Sequence, residues 1–279
     1  MAPSQSDKAR AFRALHERPG AFVMPNPWDV GTARILAGLG FEALATTSAG
    51  LAFALGRRDG EGAVSRDEAL AHARTIVSAT PLPVSADLEN GFGDAPKAAA
   101  ETIRLAADAG LVGASIEDTT TDPHRPIYDA SLAAERIAAA VEAARALPFP
   151  FMLTARAENF LHGRPDLDDT IRRLQAFEAA GADVLYAPGL RDLAMIRTVC
   201  AAVGKPVNVV MGLAGAPFSV DQLAAAGVRR ISLGSALSRA ALGAFLRAAR
   251  EVKERGTFSF AERAASFGEL DPFMQERPT

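Results

Sequence analysis

The residues best placed for chemistry lie in one short stretch, Val84-Ser85-Ala86-Asp87-Leu88-Glu89-Asn90-Gly91-Phe92-Gly93. It reads as a strand that presents two carboxylates, Asp87 and Glu89, two residues apart. Alternation along an extended chain would put both on the same side. A glycine-rich turn follows, and a helix is expected to begin near Asp94-Ala95-Pro96. Paired acids at the carboxyl end of a strand suit a hard cation such as Mg²⁺. That ion takes one or two carboxylates and leaves several positions for water and substrate oxygens. The plainer use of the same residues is an acidic strand end that caps the next helix, which Asp94 could do alone.

The elements that must hold these acids alternate along the chain. Strands are expected at Phe22–Pro25, Ala43–Thr47, Val84–Asp87, Gly113–Glu117, Phe151–Arg156, Asp183–Tyr186, Val207–Met211 and Arg230–Leu233. Helices are expected at Ser4–Arg18, in the stretch ending near Gly38, and from Ser65 to about Ser78. Others follow at Ala95–Ala109, Ser131–Leu147, Leu167–Ala180, Asp192–Val203 and Val220–Ala226, with a closing helix at Ala236–Arg255. Gly40, Gly110, Gly181 and Gly227 precede the even-numbered strands, where a helix ends in a left-handed turn. Pro83, Pro150 and Pro206 precede strands three, five and seven and favour an extended chain. Most strands are short apolar runs, as a parallel sheet buried on both faces requires. Eight such units in 279 residues predict a single (β/α)₈ TIM barrel over residues 1–279, with an N-terminal helix and a helical tail at 257–279. A doubly wound open sheet is the alternative, but no G-x-G-x-x-G follows the first strand.

Composition narrows the partners. The chain is 49% hydrophobic and 23% charged, with net charge −3 and no dense Lys/Arg run. This argues against nucleic acid or an anionic membrane as partner. The first twenty residues are polar and charged, without a secretory signal, and no apolar run approaches a membrane span. The expected location is cytoplasmic. The lone cysteine, Cys200, excludes an intrachain disulfide framework and reads as a small core residue.

In a barrel the active site lies at the carboxyl ends of the strands. Those positions hold Asn26, Thr47 and Ser48, Asp87 and Glu89, Glu117 and Asp118, Arg156 and Glu158, Tyr186, Asn208 and Ser235. Carboxylates on one side and a fixed cation opposite suit a small polyoxygenated anion held by a metal ion and an arginine.

Four stretches resemble the isocitrate lyase/phosphoenolpyruvate mutase superfamily, and the resemblance runs over nearly the whole chain. They are Gly40-Phe41 to Arg58-Asp59, Asp87–Gly93, Ser115-Ile116-Glu117-Asp118 and Thr154-Ala155-Arg156-Ala157-Glu158. The resemblance implies a barrel whose last helix is often exchanged between subunits, Mg²⁺ as cofactor with Mn²⁺ as the alternative, and chemistry through a metal-bound enolate. It implies a small 2-oxo acid or its adduct as substrate, and a homo-oligomer, dimer or homotetramer, with the tail packing on a neighbouring subunit. Asp59, Asp87, Glu89 and Glu117 match the acidic metal shell. Thr47 and Ser48 match a pair whose backbone N–H groups hold the substrate carboxylate, and Arg156 matches the arginine on the same oxyanion. Asp59, Glu117 and Arg156 are the expected catalytic residues, and Tyr186 and Asn208 are expected to line the substrate.

The chain departs from the family pattern in ways that bear on the reaction. Glu89 stands where a second Asp is usual, and Ser48 replaces a glycine. The Lys-Lys-Cys-Gly-His loop of the isocitrate and methylisocitrate lyases is replaced by Thr119-Thr120-Thr121-Asp122-Pro123-His124-Arg125-Pro126. Without that thiol, decarboxylation of a β-keto acid such as oxaloacetate is the simplest expectation, with residues 119–129 as a lid and His124 or Tyr186 as candidate proton donors. Selectivity would lie in the lid and at Leu51, Phe53, Tyr186 and Met211. The alternatives are P–C bond chemistry on a phosphonate, a phosphate site built from Gly212–Gly215 and Gly234-Ser235, and a 2-oxo-acid-binding protein without turnover.

Overall fold

Proline and glycine punctuation places the strands. The computed structural model describes residues 3–213 and 217–275. Its strands are β1 (Phe22–Met24), β2 (Leu44–Ala45), β3 (Val84–Asp87), β4 (Gly113–Glu117), β5 (Met152–Arg156), β6 (Val184–Tyr186), β7 (Val207–Val210) and β8 (Arg230–Ser232). All the pairings are parallel, consecutive strands are neighbours from β2 to β8, and β8 pairs with β1. Between β1 and β2 the ring is completed by the Ala45 N–H, which donates to the Pro25 carbonyl (3.1 Å). This is the (β/α)₈ barrel the sequence predicts. Strand ends differ from expectation by a residue or two, as fraying ends do.

The helices are α1 (Gln5–Glu17), α2 (Val30–Gly38), α3 (Ser48–Ala54), α4 (Arg66–Ala79), α5 (Pro96–Asp108) and α6 (Ala130–Arg145). They continue with α7 (Leu167–Ala179), α8 (Leu193–Ala202), α9 (Val220–Ala225), α10 (Ala236–Arg255) and α11 (Phe267–Met274). Ser65 caps α4 in a reciprocal box with Glu68, satisfying amide donors that the first turn leaves free. Cys200 sits in α8, half-buried, against Gly227. The main core lies between the barrel wall and its helices. A second cluster fills the amino-terminal end of the barrel, where Phe12 and Leu15 of α1 meet Phe22, Ala43, Val112 and Met152. Helix α1 therefore plugs the end opposite the expected site.

Some expectations need correction. Helix α3 was not expected, because its run Ser48-Ala49-Gly50-Leu51-Ala52-Phe53-Ala54 is too short for a periodic signal. Asp94 does not cap α5. Ala95 occupies the cap without a side-chain bond, and Asp94 accepts from the Tyr128 hydroxyl (2.7 Å) instead. Helix α10 forms over the expected residues but does not close the barrel: of its side chains only Ser238 is buried. Within the tail, α11 sets Phe273 against Gly38 of α2.

Candidate active site

Strand β5 ends on Arg156, and its guanidinium gathers the carboxyl ends of three strands. Nη1 lies 3.0 Å from Asp87 Oδ1 on β3 and 3.0 Å from Glu117 Oε2 on β4. Nε lies 2.8 Å from Glu158 Oε1. Parallel register explains the convergence: Glu117 pairs with Arg156, and Asp87 with Ser115, one alternation step before Glu117. Arg156 also stands over the Tyr186 ring, 5.1 Å from its centroid. Its side chain is 13% exposed, so these contacts work in a poorly solvated place.

The pair of acids first noticed is split. Strand β3 ends at Asp87, and Glu89 adopts a left-handed backbone (φ 48°), rare for a residue with a side chain. The strand therefore ends before alternation can carry Glu89 to the side of Asp87. Asp87 and Asp59 line a cavity of about 180 Å³ with Arg156, whereas Glu89 and Glu117 line the adjoining one under the lid. Burial, with Asp87, Glu117 and Asp59 nearby, pushes the Glu89 carboxyl up to about 8. Burial likewise raises Glu117 against the pull of Arg156, and raises Asp59 with Asp87 adding to the effect.

Helix α3 begins at Thr47, whose side chain accepts from the Gly50 N–H (3.2 Å). The Ser48 N–H (3.3 Å) and hydroxyl (3.0 Å) both donate to Asp87 Oδ2, so this turn is braced against the acid that it borders. Both residues line the smaller cavity with Tyr186, Asn208, Ser232 and Ser235. Asn208 is 1% exposed, and its amide is engaged by Ser232 Oγ (3.0 Å) and Arg230 Nε (2.8 Å). Asn26 is likewise internal: it donates to the Thr46 carbonyl and accepts from the Leu233 and Gly234 N–H groups, stitching β1, β2 and β8 together.

Asp118 turns away from the cavity. It accepts from the Glu158 N–H (2.8 Å) and from Arg173 Nη1 (3.0 Å), and fixes the β4 and β5 ends to each other. The segment after it folds back on itself: Thr119 bridges Ile127, and the Thr120 N–H donates to the Pro126 carbonyl (2.9 Å). His124 is exposed on its tip and lines neither cavity. His162, from the loop after β5, meets the lid instead, 3.2 Å from Thr119 Oγ1. Sequence reading missed Arg136, which donates to the carbonyls of Asn90, Gly93 and Asp94 and stacks on Tyr128. It also missed Arg230. Arg136 lies mid-helix and Arg230 opens an apolar strand, so neither falls at a strand's carboxyl end.

The donor set fits Mg²⁺. Its side chains offer oxygen alone, and burial, with neighbouring carboxylates adding to it, raises Glu89 and Glu117. Among the described residues, no three Asp, Glu, His or Cys side chains come together as a ready-made metal site. Mg²⁺ does not ask for one, since water and substrate oxygens complete its octahedron. Asp87, with Glu117, Glu89 and Asp59 around it, would hold the ion.

Of the phosphate-site residues, Ala214 and Gly215 lie outside the described residues, and Gly234 and Ser235 line the cavity already described. No described helix is long and apolar enough to cross a membrane.

The family profile described as phosphoenolpyruvate phosphomutase matches residues 12–253. A solved structure of a candidate lyase/mutase from Burkholderia cenocepacia J2315 is 62% identical, with a TM-score of 0.95, over 98% of this chain and 97% of that one. The oxaloacetate decarboxylase of Marinomonas sp. (strain MWYL1) is 27% identical over 96% of this chain and 94% of its own length. A structure of oxaloacetate acetylhydrolase with its product oxalate is 26% identical, with a TM-score of 0.84, over 95% of this chain and 91% of that one.

Proposed function

The chain belongs to the isocitrate lyase/phosphoenolpyruvate mutase superfamily, and from that premise we propose that it is a Mg²⁺-dependent carbon–carbon lyase. Its substrate is a small 2-oxo acid of the oxaloacetate type, or an adduct of one. The observation that carries this reading is the Arg156 guanidinium, braced by Asp87, Glu117 and Glu158 at the edge of a cavity of about 180 Å³. So small a space suits an acid of a few carbons. A fixed guanidinium beside oxygen-only metal donors suits a carboxylate next to a keto group.

When bound, Mg²⁺ supplies Lewis-acid polarisation of the keto group and positive charge against the developing enolate. The chain's own residues do the rest. Arg156 takes the substrate carboxylate in a charge-assisted fork, and the Thr47–Ser48 turn orients it. In decarboxylation the bond between the carboxyl carbon and its neighbour breaks, its electron pair enters the enolate, and carbon dioxide leaves. The carbon left behind then takes a proton, which water can supply. The lid residues around Thr119 line the outer cavity with Glu89 and Glu117, and closing them over a bound acid would exclude bulk solvent. A preorganised charge of this kind is usually the largest catalytic contribution. Two of the relatives named above, the decarboxylase and the acetylhydrolase, carry oxaloacetate in their names, which supports the substrate class.

P–C bond chemistry is the second reading, favoured by the phosphomutase profile. A steady-state assay with Mg²⁺ should show turnover of oxaloacetate or a related 2-oxo acid above that of phosphonopyruvate. Turnover of phosphonopyruvate alone would reverse the two readings, and binding without turnover of any acid would make the chain a binder. In calorimetry, Asp87→Ala should abolish Mg²⁺-dependent oxalate binding while the barrel still folds. Unchanged Mg²⁺ and oxalate affinity in that variant would remove Asp87 from the site.

A further inference from the structure

The smaller cavity reaches a second guanidinium. Arg230 opens β8, is 3% exposed and lines the same space as Asp59, Asp87 and Arg156. Nε donates to Asn208 Oδ1 (2.8 Å), Nη2 to Thr154 Oγ1 (2.9 Å) and Nη1 to His16 Nε2 (3.4 Å). His16 Nδ1 lies 2.8 Å from the Phe12 carbonyl, so Nδ1 carries the ring proton and Nε2 is free to accept. All these partners are neutral. Among the described residues, no carboxylate lies within ion-pair distance of Arg230, whereas Arg156 touches three.

A charge buried without a counter-charge is costly, and the cost must be offset elsewhere. The rim offers the opposite imbalance: Asp59, Asp87, Glu89, Glu117 and Glu158 crowd around one guanidinium. Coulomb energy falls only as the inverse of distance in an interior that salt does not screen. We propose that Arg230 is a positioning residue of this site. It is a fixed charge at the cavity floor that opposes the divalent cation, adds to the attraction for the 2-oxo acid and orients Asn208. This rests on the metal-dependent 2-oxo-acid reading above and extends it to a residue no strand-end argument finds.

The two effects have opposite signs, and a merely structural arginine would not produce that pattern. Calorimetric titration of the full chain with Mn²⁺, and then with oxalate at saturating Mn²⁺, reads both. Arg230→Gln should bind Mn²⁺ at least threefold more tightly and oxalate at least threefold more weakly than the wild type. Arg230→Lys keeps the charge and should hold the Mn²⁺ affinity within twofold. Arg230→Met fills the volume without a polar group and replaces Arg230→Gln if the amide does not fold. Mn²⁺ binding by the wild type, with unchanged or weaker Mn²⁺ affinity in the neutral variant, overturns this proposal alone. A wild type that binds no Mn²⁺ overturns the reading of the site and this proposal together. Failure of both neutral variants to fold makes Arg230 structural and overturns the proposal as well.

Discussion

Arg156 is held from three sides by Asp87, Glu117 and Glu158, at 3.0, 3.0 and 2.8 Å. A planar guanidinium can keep one carboxylate on its Nε edge while its other edge meets a substrate. A lysine ammonium keeps the charge but cannot divide it in that way. Arg156→Lys should therefore lose about 2 kcal/mol of transition-state stabilisation, roughly 30-fold in kcat/KM. The loss should fall on turnover as well as KM, because negative charge on the enolate grows as the bond breaks. Steady-state kinetics on the best substrate test this, and a variant with wild-type turnover and affinity would make Arg156 structural. Asp87, Glu117 and Arg156 could be read from the sequence because each ends a strand that proline or glycine marks out. Glu89 was legible as an acid of the site, but the side it faces was not, because its left-handed backbone breaks the alternation. Arg230 was not legible, because its role depends on what lies across the barrel.

At the scale of elements, the turn carrying Glu89 is held from outside. Arg136 of α6 donates to the carbonyls of Asn90, Gly93 and Asp94, and Tyr128 joins the lid's end to Asp94. Nothing in an alanine-rich helix announces such a clamp, so only the barrel and its strand spans were open to sequence reasoning here. Removing the guanidinium leaves buried carbonyls unpaired. Arg136→Met should cost roughly 3 kcal/mol of stability, and Tyr128→Phe roughly 2 kcal/mol, since its hydroxyl donates to the Asp94 carboxylate and accepts from the Asn90 amide. Urea unfolding of both variants checks the order, and equal losses would contradict the clamp.

Helix α1 makes a pH-dependent contribution. Burial, with Arg230 nearby, holds the His16 imidazole down at about 3, against 6.5 in the unfolded chain. Between those values the unfolded chain binds the extra proton, so stability is full above pH 6.5 and is lost as pH falls toward 3. From pH 7 to pH 5 this group should remove roughly 2 kcal/mol. His16→Gln keeps a donor and an acceptor without titrating, and should flatten that part of the acid slope. An unchanged slope would place the acid sensitivity elsewhere.

The whole molecule is unbalanced at its carboxyl end. A (β/α)₈ barrel buries each strand behind a helix, yet α10 leaves Phe245 67%, Leu246 50% and Leu242 41% exposed. Beyond it, Phe258 is 66% and Phe267 84% exposed, although Phe273 has turned in against α2. A twenty-residue helix with its apolar side in water is an unfavourable end state for a soluble chain, since contiguous apolar surface of this kind is normally covered. A second copy of the chain can cover it reciprocally, because a two-fold axis brings the same face of each subunit to the other. Sedimentation velocity at micromolar concentration should therefore show a dimer or tetramer. Phe245→Glu should shift it toward monomer, because a carboxylate buried in the new contact has no cation to meet. The same variant should keep its barrel, since Phe245 is 67% exposed and is not part of the buried core, and circular dichroism separates dissociation from unfolding. A wild type that sediments as a stable monomer would mean that α10 is left bare in solution, and the assembly would have to be abandoned.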